Sequence, residues 1–464
     1  MLWSTLRFLT ILIFVVAIFP LRTQIGIFQI YPLDFVILPS IFVLASIATL
    51  GRGMKFAIKT TDKLIFGFLF CITIFSVFSS SPINTLHQVL VWYRVVAVYY
   101  FVRVLVENNE LGIEDVYSWW KWTLVFLCIL GAIQVLVDPS IGIAANYFGN
   151  KLEGSGDIAT FKELGSVPRI SGTSYSPLIY VQWIVIFSSI VNARLLFKNT
   201  MSVRVVSSYI FLLILEFSLV VATLSRGGVL FLLVVNVLLI YFRLGRQESN
   251  RAISVVRLLM LLMAFTFVVV YFVQSDQFTA VSALEIRAEQ GGENRIQLFV
   301  QGWKLFQNPK IFFMGTGLGA YYPALFGYGI GLGDIVKWKD MTESSSGIHN
   351  MFANILVEGG LLSASLYIFL VGLTVKKSYR MMKVLVNTKH DFVGVYLFSL
   401  MTGFVVVSFQ LYLSSLNINV LLFEFVIFAI VHSIDIDYLR HWAWVERYRI
   451  RVVQGRSTPA FPEG

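Results

Sequence analysis

Long runs of apolar residues, separated by short polar connections, make up most of the chain. A helix needs about 20 residues to cross a hydrocarbon core about 30 Å thick, because each residue advances the helix by about 1.5 Å. Applied to the apolar runs, this length predicts twelve membrane spans, at approximately 4–21, 33–50, 64–81, 88–106, 118–137, 177–197, 205–223, 227–242, 255–274, 350–374, 392–410 and 414–434. The predicted fold class is an all-α polytopic membrane protein.

Lysine and arginine test this division, since they accumulate in the cytoplasmic connections of membrane proteins. They gather after the second, sixth, eighth and tenth spans and again in the C-terminal tail. This alternation predicts that both termini are cytoplasmic and that the connection 79–84 and a long loop at 275–349 lie outside. The connection 107–115 is assigned inside although it is acidic, and acidic residues contribute little to the rule.

The predicted organisation has four parts: spans one to nine in 1–274, the extracytoplasmic loop in 275–349, three more spans in 350–434, and a basic cytoplasmic tail in 435–464. The first apolar run has no small-residue cleavage site after it, so it is interpreted as a span rather than a signal peptide. In the long loop, helical spacing predicts an amphipathic surface helix, ended by Asn308 and Pro309, from Ile296, Phe299, Val300, Trp303 and Phe306.

Composition agrees with a lipid environment. Hydrophobic residues make up 57% of the chain and charged residues only 13%, a balance that excludes a water-soluble domain of this size. The net charge of +10 lies in short clusters between apolar runs, which favours cytoplasmic connections over nucleic-acid binding. Cys71 and Cys128 lie inside apolar runs, and the chain has no nucleotide-binding or zinc-protease motif. We therefore expect no metal and no cofactor.

Candidate chemistry concentrates on the predicted outer side. His349 ends the long loop, where a neutral imidazole can take a proton from a hydroxyl; the alternative is an interfacial histidine beside a helix cap. Arg226, Arg295 and Arg169 lie at similar depth, and guanidinium groups bind a diphosphate in bidentate fashion. For Arg226 the alternative is contact with phospholipid head groups.

Two ionisable residues lie deep in predicted spans, Arg94 in the fourth and Glu216 in the seventh, each about seven residues from the outer end. Matching depth allows an ion pair, which either stabilises the bundle or forms the floor of a substrate cavity. Glu424 in the last span has no evident partner in the sequence.

A set of motifs resembles the signature region of the O-antigen ligase and polymerase superfamily. The motifs are Ser225-Arg226-Gly227, Asn294-Arg295, Trp303, Asn308-Pro309, Gly315-Thr316-Gly317-Leu318-Gly319, His349-Asn350 and Glu358-Gly359. They lie within roughly 165–375, and twelve spans with a long loop before the tenth is similar to the ligase architecture.

The resemblance implies a metal-independent, inverting glycosyltransferase in the bacterial inner membrane, working on its outer face. Its donor would be a glycan linked to undecaprenyl diphosphate, held by Arg226, Arg295 and Arg169, and His349 would deprotonate the acceptor hydroxyl. A ligase takes the lipid A core as acceptor, whereas a polymerase takes a second lipid-linked repeat. The shared motifs leave this choice open. The stretch 321–346, between the glycine-rich cluster and His349, departs from the family pattern in its length, and we interpret it as specific for the acceptor.

Two other classes compete with an enzyme. A transporter or flippase for a lipid-linked glycan also needs about a dozen helices and interior cations, but transporters bind at the midplane of internal repeats, and the marked residues lie at one face. A structural scaffold leaves the outer arginines and histidine without a role. The predicted order is enzyme, transporter, scaffold.

Overall fold

The computed structural model describes residues 2–18, 23–25, 28–50, 54–137, 158–161, 165–168, 170, 177–197, 203–223, 225–247, 300–328, 350–408 and 418–453. The helices are α1 (Leu2–Ala17), α2 (Asp34–Leu50), α3 (Thr60–Ser76), α4 (Pro82–Glu107), α5 (Ile113–Leu136), α6 (Pro177–Leu196), α7 (Val203–Ala222), α8 (Arg226–Gln247), α9 (Pro309–Met314), α10 (Tyr321–Gly327), α11 (Met351–Leu385), α12 (Asp391–Ser408), α13 (Ile418–Ser433) and α14 (Ile436–Val453). Two short antiparallel hairpins occur in connections, β1 (Thr23–Ile25) with β2 (Phe28–Ile30) and β3 (Ile158–Phe161) with β4 (Gly165–Pro168).

Every predicted span coincides with one of these helices, except 255–274, which lies outside the described residues. Four helical segments are long and apolar enough to cross a membrane by themselves, namely Pro82–Glu107, Ile113–Leu136, Ile179–Leu196 and Met351–Leu385, and six shorter apolar helices accompany them. The helical class and the membrane environment are therefore confirmed. The count of twelve crossings and the side on which each terminus lies stay predictions.

The core of the bundle is built around α4, which packs against α13, α3 and α2. Helix α11 packs against both α3 and α12, and α12 also packs against α8 and α6. Trp92 of α4 is fully buried and contacts the rings of Phe68, Tyr367 and Phe425, with centroids 4.8 to 5.9 Å away. Aromatic packing thus joins α3, α4, α11 and α13.

Ion pairs join one end of the bundle, which carries the predicted inner connections. Three acids of the acidic connection have partners there: Glu107 with Lys59 at 2.5 Å, Glu114 with Arg194 at 2.5 Å and Asp115 with Arg7 at 2.9 Å. Beneath them, Arg103 and Asp62 form an ion pair whose side chains are both inaccessible to solvent. The acidic connection therefore neutralises basic connections at the same end of the molecule.

Two segments add to the predicted picture. The basic tail contains helix α14, whose Ala443 is fully buried and whose Trp442 ring lies 5.4 Å from that of His390. In the long loop, residues 300–306 are helical as predicted, although Ile296 and Phe299 lie outside the described residues. Trp303 is 57% exposed, whereas Leu305, which the predicted face did not include, is buried.

Candidate functional site

A tight backbone junction lies at the opposite end of the bundle from the ion pairs. It joins three segments, the connection 79–81, the glycine-rich stretch 315–320 and residues 354–360 of α11, and we call it the glycine junction. Just before it, Asn308 caps α9 by accepting a hydrogen bond from the backbone N–H of Lys310 at 2.9 Å, and Pro309 occupies the first turn. The helix ends at Gly315, whose φ of 77° favours glycine.

Helix α11 is interrupted inside the junction at Gly360, whose φ is 74°. The carbonyls one turn earlier lose their helical donors there, because an α-helical carbonyl bonds the N–H four residues later. The glycine-rich stretch supplies new donors: Thr316 N–H binds the Val357 carbonyl and Gly317 N–H binds the Glu358 carbonyl, both at 2.9 Å. The interruption in α11 therefore creates the binding place for the loop.

The Glu358 side chain adds a second connection. It is 1% exposed and accepts hydrogen bonds from the backbone N–H of Gly319 at 3.0 Å and from the Asn354 side chain at 3.2 Å. A buried carboxylate needs such donors, since an unpaired one is costly. In the sequence Glu358 appears only as part of the Glu358-Gly359 motif. Its role as an acceptor for the loop backbone becomes visible only in the folded chain.

The connection between α3 and α4 closes the junction from the other side. The Thr316 carbonyl accepts hydrogen bonds from Ser79 Oγ at 3.0 Å and from the Ser80 backbone N–H at 3.2 Å. A Cβ atom on Gly317, whose φ is 95°, would overlap Ser79 and Thr85. Two connections that were both predicted to lie outside are therefore in direct contact.

Helix α10 extends the loop side of the junction. Tyr321 begins α10 and is fully buried in a small apolar cluster with Leu305, Ile311 and Val357. Burial, together with the neighbouring Tyr322, raises the pKa of Tyr321 well above its usual range, so the phenol stays protonated near neutral pH. The first part of the stretch 321–346 thus packs against the junction.

His349, the predicted base, lies outside the described residues, but the residue after it is well placed. Asn350 caps α11, and its side chain accepts a hydrogen bond from the Ala353 N–H at 3.0 Å. His349 therefore directly precedes the helix whose first two turns carry Asn354 and Glu358.

Among the predicted diphosphate ligands, Arg295 and Arg169 also lie outside the described residues. Arg226 is the first residue of α8. Ser225 Oγ accepts a hydrogen bond from Gly228 N–H at 3.3 Å, and the next residue after Arg169, Ile170, donates its N–H to the Ala222 carbonyl at 3.3 Å. The backbone thus brings the chain beside Arg169 to the turn that precedes Arg226.

The expected cavity pair has a different arrangement. Arg94 pairs with Asp34 at 2.5 Å, and Glu216 accepts hydrogen bonds from Asn192 at 3.0 and 3.1 Å. The described contacts therefore give the two residues separate partners, because Arg94 faces the start of α2 and Glu216 faces α6. In the sequence, these partners are visible only as single polar residues within apolar runs, namely Asp34 and Asn192.

Other buried polar side chains also have partners. Asn192 contacts Asn236 of α8, which accepts a hydrogen bond from the Tyr209 hydroxyl at 3.1 Å. Glu424, for which the sequence offered no partner, accepts a hydrogen bond from the Tyr367 hydroxyl at 2.6 Å. These hydrogen bonds join helices of the bundle to one another.

The helices and the junction define a polytopic membrane protein with an ordered loop site at one end of its bundle. Residues 210–368 match the family model described as O-antigen ligase. The resemblance given by the motifs is therefore confirmed over about a third of the chain, a part that includes α8, the glycine-rich stretch and the first turns of α11. Members of that superfamily are glycosyltransferase-like ligases and polymerases. A comparison with curated proteins finds no match.

Proposed function

We propose that the protein is a membrane glycosyltransferase that moves a glycan from undecaprenyl diphosphate to a hydroxyl of an acceptor sugar, with a lipopolysaccharide core as the acceptor. The observation that carries this proposal is that the matched region, 210–368, contains two of the three segments of the glycine junction, together with Arg226, Arg295 and His349. The enzyme would lie in the bacterial inner membrane, with its site on the outer face.

The reaction forms one bond and breaks one. The acceptor oxygen attacks the anomeric carbon of the glycan while the bond from that carbon to the diphosphate oxygen breaks, and attack opposite the leaving group inverts the configuration. His349 takes the proton of the acceptor hydroxyl. Arg226, Arg295 and Arg169 neutralise the charge that develops on the departing undecaprenyl diphosphate.

Two features of the fold support these roles. The bond from Ile170 to Ala222 brings the chain that follows Arg169 close to the turn before Arg226, as a shared diphosphate site requires. The glycine junction fixes the loop on the first turns of α11, directly after His349. Holding the segment that follows the base is what positioning a base against a reacting hydroxyl requires.

A repeat-unit polymerase is the second candidate, because the matched superfamily contains both ligases and polymerases. Both would use the same lipid-linked donor and the same cations and base. They differ in the acceptor, which for a polymerase is a second lipid-linked repeat.

The test is an assay of purified protein in detergent with undecaprenyl-diphosphate oligosaccharide, with and without a lipid-core acceptor and with no added metal or nucleotide. Product that requires the lipid core supports the ligase, and a ladder of products from donor alone supports the polymerase. If neither forms, while reconstituted vesicles move the lipid-linked glycan across the bilayer, the enzyme is excluded and a transporter replaces it.

A further inference from the structure

A large apolar groove lies between α2, α3 and α4, away from every residue so far given a chemical role except Arg94. Its cavity volume is about 1300 Å³. Large side chains at its edges remain accessible, among them Phe35 at 73% and Phe70 at 65% exposed, so the groove opens sideways from the bundle. In a membrane, this opening faces hydrocarbon rather than water.

The lining is almost wholly hydrocarbon in character. Six aromatic rings contribute to it, from Phe35, Phe56, Phe66, Phe70, Tyr93 and Tyr100. The charged groups of the lining, Asp34 and Arg94, form an ion pair with each other, and the Arg94 guanidinium lies 5.1 Å from the centre of the Tyr31 ring. The groove therefore offers apolar contact along its length and a neutral polar pair near one end.

Aromatic rings border the far end of the groove. The Tyr100 ring lies 6.0 Å from that of Phe56 and 5.8 Å from that of Phe66, and the Arg103 guanidinium covers Phe56 at 4.7 Å. On α4 the lining runs from Leu90 to Tyr100, which is about 15 Å at 1.5 Å per residue. This length is about half of the 30 Å hydrocarbon core.

The near end points toward the glycine junction. Helix α4 begins at Pro82, directly after Ser79 to Ser81 of the junction, and the lining begins at Leu90, about 12 Å further along the helix. A chain that lies in the groove therefore has its head-group end directed to the junction and its tail end against Tyr100.

We propose that this groove holds the isoprenoid tail of the lipid-linked glycan substrate, with the head-group end of the tail toward the glycine junction. The inference rests on the proposed function, because it assumes a lipid-linked substrate. An isoprenoid chain carries planar double-bond units at regular intervals, and these pack on the flat aromatic faces that line the groove. Its length beyond one half of the bilayer leaves through the lateral opening.

The test uses two photoreactive lipids in vesicles of phosphatidylethanolamine and phosphatidylglycerol: a polyprenyl phosphate and a phosphatidylethanolamine, each with a diazirine in its hydrocarbon chain. Mass spectrometry locates the crosslinked residues in the wild type, in Ala97→Phe, which fills the groove, and in Ala132→Phe, a matched change on α5 outside the lining. Ile41→Trp fills the groove from α2 and serves if Ala97→Phe does not fold.

We expect the polyprenyl probe to label the lining of α2, α3 and α4 in the wild type and in Ala132→Phe. In Ala97→Phe this labelling falls by about tenfold, since excluding two methylene-sized groups from an apolar site is enough for such a loss. Equal labelling of the groove by both lipids means occupation by bulk phospholipid and overturns the proposal. The proposal is also overturned if the polyprenyl probe labels the groove as strongly in Ala97→Phe and Ile41→Trp as in the wild type.

Crosslinking does not depend on catalysis, so the two proposals can fail separately. A wild-type protein that transfers glycan but is not labelled in the groove contradicts the groove assignment alone. A wild-type protein that is labelled there but neither transfers glycan nor forms a ladder contradicts the proposed enzyme alone.

Discussion

The two ends of the bundle are held together by different forces. The end with the predicted inner connections is held by ion pairs, of which the pair between Arg103 and Asp62 is inaccessible to solvent. At the glycine junction, backbone groups meet directly, and positive φ angles at Gly315, Gly317 and Gly360 allow the approach. The first end should be sensitive to the loss of a charge, and the second to the addition of a single methyl group.

The largest effect is expected from Asp62→Asn, which removes one of the two carboxylates that pair with the buried Arg103, the other being Glu107 at 2.9 Å. Breaking a buried pair by removing one charge costs about 3–5 kcal/mol. The matched control is Asp437→Asn, whose pair with Arg440 is exposed and 3.4 Å long, and which should change little. Thermal unfolding in detergent measures both variants, and equal losses would show that the inner pair does not stabilise the fold.

Gly360→Ala should come next. Alanine at a φ of 74° is strained, and its Cβ would overlap the backbone at Phe313 and Met314, so we expect a loss of about 1–3 kcal/mol or more. Gly372→Ala on the same helix is the control, because a Cβ there meets nothing within 4 Å. A junction that tolerates Gly360→Ala as well as Gly372→Ala, in both unfolding and glycan transfer, would not need its close backbone approach.

Glu358→Ala tests the side-chain connection of the junction. It leaves the Gly319 N–H and the Asn354 amide unsatisfied, with an expected cost of about 1–3 kcal/mol, and Glu358→Gln should cost less because its carbonyl still accepts. Hydrogen exchange at the Gly319 amide should be faster in Glu358→Ala. In the control Glu424→Gln, which changes a buried acid in α13, that amide should exchange as in the wild type.

The smallest effect concerns pH at the inner end. Burial, followed by the charge of Lys389, lowers the pKa of His390, with smaller effects of either sign from Glu446, Glu114 and Arg194. The unfolded state therefore binds a proton at a higher pH than the folded state, so stability falls as the pH drops below about 6.5. Unfolding curves at pH 7.5 and 5.5 should show this, and His390→Gln should reduce the difference. If the change in stability between the two pH values is the same in His390→Gln as in the wild type, other groups cause it.

Much of the fold could be predicted because lipid imposes a simple length rule on helices. Each predicted span within the described part of the chain coincides with a helix. Helix α14 was missed as an element, although Ile436, Leu439 and Trp442 recur at helical spacing in the basic tail.

Pairings between distant residues were harder to predict. Arg94 and Glu216 matched in depth, but depth does not say which helices are neighbours, and Asp34 and Asn192 are the partners that the fold supplies. The glycine-rich stretch was visible in the sequence. Its acceptors are carbonyls freed by the interruption at Gly360, and no sequence pattern shows where a helix will be interrupted.

We propose that the chemistry belongs to the junction end of the bundle and that His349 is its base. The most direct measurement compares glycan transfer from undecaprenyl-diphosphate oligosaccharide by His349→Ala and by His390→Ala, a histidine at the opposite end, after both variants are shown to fold. We expect His349→Ala to lose about 10²- to 10⁴-fold in rate, as for removal of a general base, and His390→Ala to keep most of its activity. Equal rates in the two variants would show that His349 is not the base.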